Sequence, residues 1–321
     1  MKASFPKSKN VQGKLIGKQV IVEEGCFIGK DTEIVSDFIH IKKNTTIKGL
    51  KAHTPDSFIV GECGHIGKDC NFTCRSFEVG EYLWMVDGVE IGRGGCDGPN
   101  SHVKIGDYCM FTERVLLNPS EAITIGNHVA LGSEVQVWTH GSFLDVLDGY
   151  PATFKPVTIG NNVWIPSRCI LLPGVKIGND VVIGIGSLVN KSLPSGCLAG
   201  GTPIKILAED VYPKDLTEDE RSTIIRNILN IWLTEIVPYK DIKTVTSLTY
   251  QSFKIADIIS LKQGDKETSY DVRNRVISGH EDDVTEDLRD FLRRRGIKFF
   301  TGKPFKSIKP PIFNKPNELP L

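Results

Sequence analysis

The chain has 321 residues, 40% of them hydrophobic, enough for one large or two ordinary domains with a packed core, which excludes the disordered and fibrous classes. With 39 basic residues against 39 acidic ones, no net field draws it onto nucleic acid or anionic lipid, and a nucleic-acid reader is not expected. No run approaches the roughly 20 apolar residues of a membrane span. The first ten residues lack the apolar block of a secretory signal, so a soluble, cytoplasmic protein is expected. The eight cysteines are expected to be reduced core residues, and Cys70 with Cys74, the only close pair, lacks the second pair that a metal site would need.

Along the chain, aliphatic residues recur every six positions. Ile16, Val22, Ile28 and Ile34 begin the series, followed by Val79, Met85 and Ile91, and then by Ile125, Leu131 and Val137. The longest run is Ile159, Ile165, Leu171, Ile177, Ile183 and Val189, with a second phase two positions ahead at Val157, Val163, Cys169, Val175 and Val181. A period of six fits no helix of period 3.6, and the β-branched content predicts short strands joined by turns. Three such hexads close one triangular coil, so the period predicts a parallel β-helix. The glycines that follow the apolar positions, among them Gly17, Gly29, Gly126, Gly132, Gly160, Gly178 and Gly184, are expected at tight corners with positive φ.

Two interruptions read as loops. One is Arg93 to Ser101, which contains Gly94, Gly95, Gly98 and Pro99. The other follows Val137, where the next ladder residue, Val157, comes 20 residues on although 18 would keep phase, so residues 141–156 are expected to be thrown out of the coil. The β-helix domain is placed at 11–210, because beyond Pro203 the period stops. Residues 211–321 then form a small α+β domain. Thr217 with Glu220 is a capping box opening a helix that ends at Pro238. Strands are expected near Phe253–Leu261 and Tyr270–Ile277, and a short helix capped by Thr285 stops at Gly296. Arg293, Arg294 and Arg295 read as a solvated helix end, and the proline-rich tail from Pro304 as extended or mobile.

Thr139-His140, the loop, Pro156 through Ile165, Leu172 through Asp180, and the stretch from Val182 to Ile206 together resemble the hexapeptide-repeat acyltransferases, nearest to the galactoside, maltose and nodulation O-acetyltransferases and their sugar N-acetyltransferase relatives. The resemblance implies a mainly β fold, a left-handed parallel β-helix of hexapeptide repeats with the small C-terminal α+β domain outside it. It implies a homotrimer with sites between neighbours, acetyl-CoA or another acyl-CoA as donor, and a sugar or nucleotide-sugar acceptor on a route to surface polysaccharide. His140 matches the family's general base. The implied coenzyme A site comprises Trp164, Ser167, Gly184, Ile185, Gly186, Lys191 and Lys205. Pro166 stands where the family usually has Gly, and Ile185 where it usually has Ala, so the donor channel is expected to differ in shape.

The family's acceptor-contacting Asn has no clear counterpart, the nearest positions being Thr112 and Glu113. A carboxylate orienting the imidazole would complete the base, with Glu113, Asp145 and Asp148 as candidates. Histidine titrates nearest neutrality of all side chains, which suits the removal of a proton from an acceptor hydroxyl or amine. Two other readings of the same scaffold are a β-helix that only binds partners, and a zinc enzyme of the gamma-carbonic-anhydrase kind using His102, His128 and His140.

Overall fold

The computed structural model describes residues 3–4 and 9–311. It divides into two compact units, Met1–Lys214 and Asp215–Leu321. The first is a parallel β-helix whose strands stack into sheets of ten, ten and eight. The sheets are numbered here by the order in which a coil visits them: the first contains Lys14–Gly17, the second (the eight-stranded one) Gln19–Val22, and the third Phe27–Ile28. Its core is the column of inward side chains from Leu15 to Ala199, and every member of the Ile159 and Val157 ladders is buried. The column is closed at one end by Lys205–Ala208, which turns back antiparallel onto Leu198–Gly200 and covers an open strand edge.

The six-residue phase is strict only in the later coils. Asn161 and Asn179, 18 residues apart, stand one coil from each other, whereas Lys68 and Asp87 are separated by 19. The earlier coils place four-residue strands such as Phe38–Ile41, Ser57–Val60 and Ser76–Val79 on the second sheet. The extra residue slips the phase, so Leu15 fills the core and Ile16 is half-buried, whereas Val22, in register with inward Ile41, packs against the core from the end strand of the second sheet and is only partly covered.

The corner glycines also work otherwise than the sequence suggests. Gly126, Gly160 and Gly178 lack positive φ, which falls two residues later at His128, Asn162 and Asp180. What these corners need is room. Asn127 Oδ1 accepts from the Asp107 amide (2.8 Å), Asn161 Oδ1 from the Asn127 amide (2.7 Å), and Asn179 Oδ1 from the Asn161 amide (2.7 Å). Each side chain satisfies a backbone donor that the corner would otherwise bury unpaired. A Cβ on Gly160 would stand 2.5 Å from Asn179 Oδ1 and 2.7 Å from the Gly178 carbonyl. Gly160→Ala should therefore destabilise the first unit by about 1–3 kcal/mol. Gly98→Ala, which meets nothing within 4 Å, should be close to neutral. Thermal unfolding of the two variants checks this, and equal melting temperatures would show that the ladder yields freely.

The second unit packs two helical segments against the antiparallel meander Ser247–Ser252, Asp257–Gln263, Lys266–Asp271 and Val276–Gly279 around Trp232, Ile259, Tyr270, Leu288 and Phe299. Thr217 and Glu220 form the expected capping box on helix Glu218–Ile231, which continues as a π turn and a last turn through Tyr239, one residue past Pro238. Phe253 lies in a turn, and Tyr270–Ile277 spans two strands, because Asp271 accepts from the Arg273 and Asn274 amides and closes a turn between them. Helix Asp283–Arg293 is capped by Asp282, with Thr285 returning the bond from the third position, since the earlier carboxylate reaches two free amides. Arg293 and Arg294 both pair with Asp290, and Arg295 lies over the Phe291 ring. The tail is docked as far as residue 308. Arg289 donates to the carbonyls of Phe299, Lys303 and Pro304, and Asp287 accepts from Ser307 and the Ile308 amide. Pro316 and Pro320 lie outside the described residues.

Candidate active site

His140 stands at the corner that follows the first sheet, one residue after the inward Thr139. Thr139 fixes that corner: its hydroxyl donates to the Asn118 carbonyl (2.7 Å) and accepts from the Glu121 amide (2.9 Å). His140–Gly141 then pairs antiparallel with Thr153–Phe154, so residues 141–156 leave the coil as a hairpin with a short 3-10 turn at Val146–Asp148. The Phe154 ring stacks on the imidazole at 5.6 Å, and Trp138 meets it edge-on at 6.4 Å.

The Nδ1 of His140 lies 2.7 Å from Asn118 Oδ1 and 2.8 Å from Ser120 Oγ. Its Nε2 has no hydrogen bond among the described residues, and a Cβ on Gly95 would come within 3.8 Å of it. Gly95 has φ +82°, and the same Cβ would meet Ser120 Oγ at 2.9 Å, so this backbone approach needs glycine. The loop over residues 93–101 thus closes against the imidazole. It carries buried Cys96, whose thiol burial pushes up to about 11 although the Ser120 hydroxyl acts in the opposite direction.

The carboxylates considered as orienting partners stand elsewhere. Glu113 occupies the corner after the third sheet and accepts from Ser133 Oγ (2.7 Å), which with its own backbone amide holds its carboxyl below the usual range. Asp145 accepts from the Leu147 amide inside the hairpin, and Asp148 belongs to the exposed 3-10 turn there. Thr112 bonds Ser133 and the Leu131 carbonyl. Asn118, Ser120 and Gly95 take no part in the hexad pattern, and only their placement, one coil before His140 for the first two and two coils before it for Gly95, reveals them.

The expected donor residues fall into two groups. Trp164 projects from the third sheet, 57% exposed, with Ser167 at the corner beyond it. One coil on, the Gly186 amide donates to the Ser167 carbonyl (3.0 Å), and Thr202 Oγ1 donates to the Gly186 carbonyl (3.2 Å). Ile185 is 74% exposed beside them, and a Cβ on Gly184 would meet Gly200, the pairing partner of Lys205, at 3.4 Å. Six of the seven residues therefore line one sheet and its corner. Lys191 does not join them, because it follows Leu188–Val189 on the first sheet and belongs to the next corner.

The three histidines of the zinc reading do not converge. His102 lies on the second sheet with both ring nitrogens engaged, by Ser76 Oγ (2.8 Å) and the Pro99 carbonyl (3.0 Å). His128 sits at a different corner from His140 and packs tilted against Tyr108, the ring centroids 4.7 Å apart. Among the described residues no group of three His, Cys, Asp or Glu side chains is placed to hold a metal ion.

Stacked hexads with asparagine-lined corners after the second sheet, and an imidazole beside an extruded hairpin at a corner after the first, define a hexapeptide β-helix. Two family models match the chain: the bacterial transferase hexapeptide (six repeats) over residues 156–191 and the hexapeptide repeat of succinyl-transferase over residues 19–47. A galactoside O-acetyltransferase of Escherichia coli (strain K12) is 33% identical over 133 residues, which cover 41% of this chain and 63% of that protein. A putative lipopolysaccharide biosynthesis O-acetyl transferase of the same organism is 31% identical over 130 residues, covering 37% of this chain and 63% of its own length. A solved galactoside acetyltransferase in complex with coenzyme A is 31% identical, with 43% of this chain and 70% of that one covered and a TM-score of 0.37. This chain carries hexapeptide repeats of the bacterial transferase type over residues 156–191 and 19–47. It spans 63% of the length of the two curated relatives named.

Proposed function

We propose that the protein is an acyl-coenzyme A-dependent acyltransferase, most simply an acetyltransferase, acting on a hydroxyl or amine of a sugar or nucleotide sugar with His140 as general base. The observation that carries this reading is the His140 Nε2, which has no hydrogen bond among the described residues although its Nδ1 is held at 2.7 and 2.8 Å. A ring oriented through one nitrogen and open at the other can take the proton from an acceptor as its oxygen or nitrogen attacks the thioester carbonyl. Backbone amides at the coil corners are the available donors toward the oxyanion. Trp138 and Phe154 beside the ring supply apolar surface for the C–H face of a sugar. The relatives named for galactoside and for lipopolysaccharide biosynthesis agree with an acceptor of that class and with a role in surface polysaccharide synthesis. A cytoplasmic location goes with the donor, and no helix among the described residues is long and apolar enough to cross a membrane.

Trp164, Ser167, Gly184, Ile185, Gly186 and Lys205 are suited to hold the coenzyme, since Gly186 presents an open corner with nothing within 4 Å of its missing Cβ. They lie at the corner after the third sheet, whereas His140 lies at the corner after the first. Base and donor groove would meet if the donor corner of one chain faced the His140 corner of another, as in a homotrimer whose three-fold axis runs parallel to the β-helices. The test is release of free thiol from acetyl-CoA against a panel of amino- and hydroxy-sugars, with the mass in solution read by light scattering. Acceptor-dependent release from a trimer is expected. A monomer at micromolar concentration, or no release with any sugar, would overturn the reading.

A further inference from the structure

We infer that Asn118 is the positioning residue that fixes His140 in its Nδ1–H tautomer, and that the Gly92–Gly94 segment leading into the loop over residues 93–101 holds Asn118 in the orientation this requires. The inference deepens the acyltransferase reading and rests on it only for the consequence in turnover. Asn118 is 1% exposed. One end of its amide lies 2.8 Å from the Gly92 carbonyl and 3.5 Å from the Gly94 carbonyl. Carbonyl oxygens only accept, so the NH2 group must face them, because the opposite orientation would bury oxygen against oxygen. Oδ1 is thereby left facing His140 Nδ1 at 2.7 Å, and an amide oxygen cannot donate. The proton of the neutral ring therefore sits on Nδ1, and the lone pair on Nε2.

Ser120 fits the same assignment. Its oxygen, 2.8 Å from Nδ1, accepts a share of that proton while its own hydrogen turns away from the ring. The alternative, with Ser120 donating to Nδ1, would set the Asn118 oxygen against a ring lone pair at hydrogen-bond distance in a buried corner. When Nε2 takes a proton, the Asn118 oxygen faces the resulting imidazolium. A neutral amide thus does the orienting that a carboxylate performs in other bases. The loop belongs to the device because its Gly94 carbonyl, with that of Gly92 just before it, sets the amide, and Gly95 lies against the open nitrogen.

The test is nitrogen NMR of the full chain labelled in its seven histidines, at a pH where the rings are neutral, with His140→Ala identifying the His140 signals. A protonated Nδ1 and an unprotonated Nε2 are expected. Asn118→Asp, which still accepts from Nδ1, should keep that signature. Asn118→Leu, which cannot accept, should populate the Nε2–H form and lose at least about tenfold in kcat with unchanged coenzyme A affinity. An Nε2–H ring in the unmodified protein would overturn the inference, and that measurement needs no variant to fold. A leucine variant retaining the Nδ1–H signature would also overturn it. The tautomer is read without turnover, so an active His140→Ala would remove His140 as the base, and no thiol release with any sugar would sink the acyltransferase reading, each while leaving this assignment standing.

Discussion

Replacing His140 by alanine should lower kcat by about 10²–10⁴ while leaving the assembly and coenzyme A affinity nearly unchanged. The magnitude is that of a lost general base. Its confinement to kcat follows from geometry, since the imidazole stands at the corner after the first sheet and the residues suited to the donor at the corner after the third. A base acts on the acceptor proton and does not hold the donor. Loss of kcat together with coenzyme A affinity would instead mean that the ring supports the fold of the corner. A variant retaining more than about a third of the wild-type kcat, with chemistry shown to limit the rate, would remove His140 as the base. The orienting carboxylates considered from the sequence are held away from the ring, Glu113 accepting from Ser133 and Asp145 from the Leu147 amide.

The largest expected effect on stability lies in the second unit. Asp257 is fully buried and receives bonds from Arg221 (2.7 Å), Arg273 (2.9 Å), Ser252 (2.8 Å) and Tyr250 (3.0 Å). Burial alone would raise its pKa. The four donors together outweigh burial and hold the carboxyl at about 2. Asp257→Ala leaves two guanidinium groups and a buried hydroxyl without their acceptor, and should cost about 3–5 kcal/mol. Hydrogen exchange or urea unfolding followed in residues 215–311 measures it, and an unmoved midpoint would show that water replaces the carboxylate at no loss. The pH dependence has a fixed sign. A carboxyl with a depressed native pKa contributes stability that is fully present above its unfolded value near 4 and is lost as pH falls through about 2. The second unit should therefore weaken across that acid window, and Asp257→Ala should flatten the dependence.

The sequence alone determined the repeating unit. A six-residue aliphatic period with β-branched residues admits one regular solution, short inward strands joined by corners, and each such residue in the later coils is buried. Local chemistry was likewise readable where bond partners are three residues apart, as in the capping box of Thr217 and Glu220. The hairpin at 141–156 announced itself by breaking the phase. Two local readings failed because several nearby groups compete for one role: Asp282 supplanted Thr285 as cap, and the corner glycines serve close approach instead of positive φ.

Only the tertiary structure decided what surrounds His140. Asn118 and Ser120 lie 22 and 20 residues before His140, and successive coils in this region differ in length, with partner offsets of 26, 20 and 34 residues. Each offset depends on how much chain a loop takes out of the coil, so no fixed spacing in the sequence marks which polar residue faces the imidazole. The same stacking separates Lys191 from the other donor candidates and His102 and His128 from His140. Residues close in the list of hexads fall on different sheets of the triangle, and their side chains point away from one another because each sheet faces its own direction.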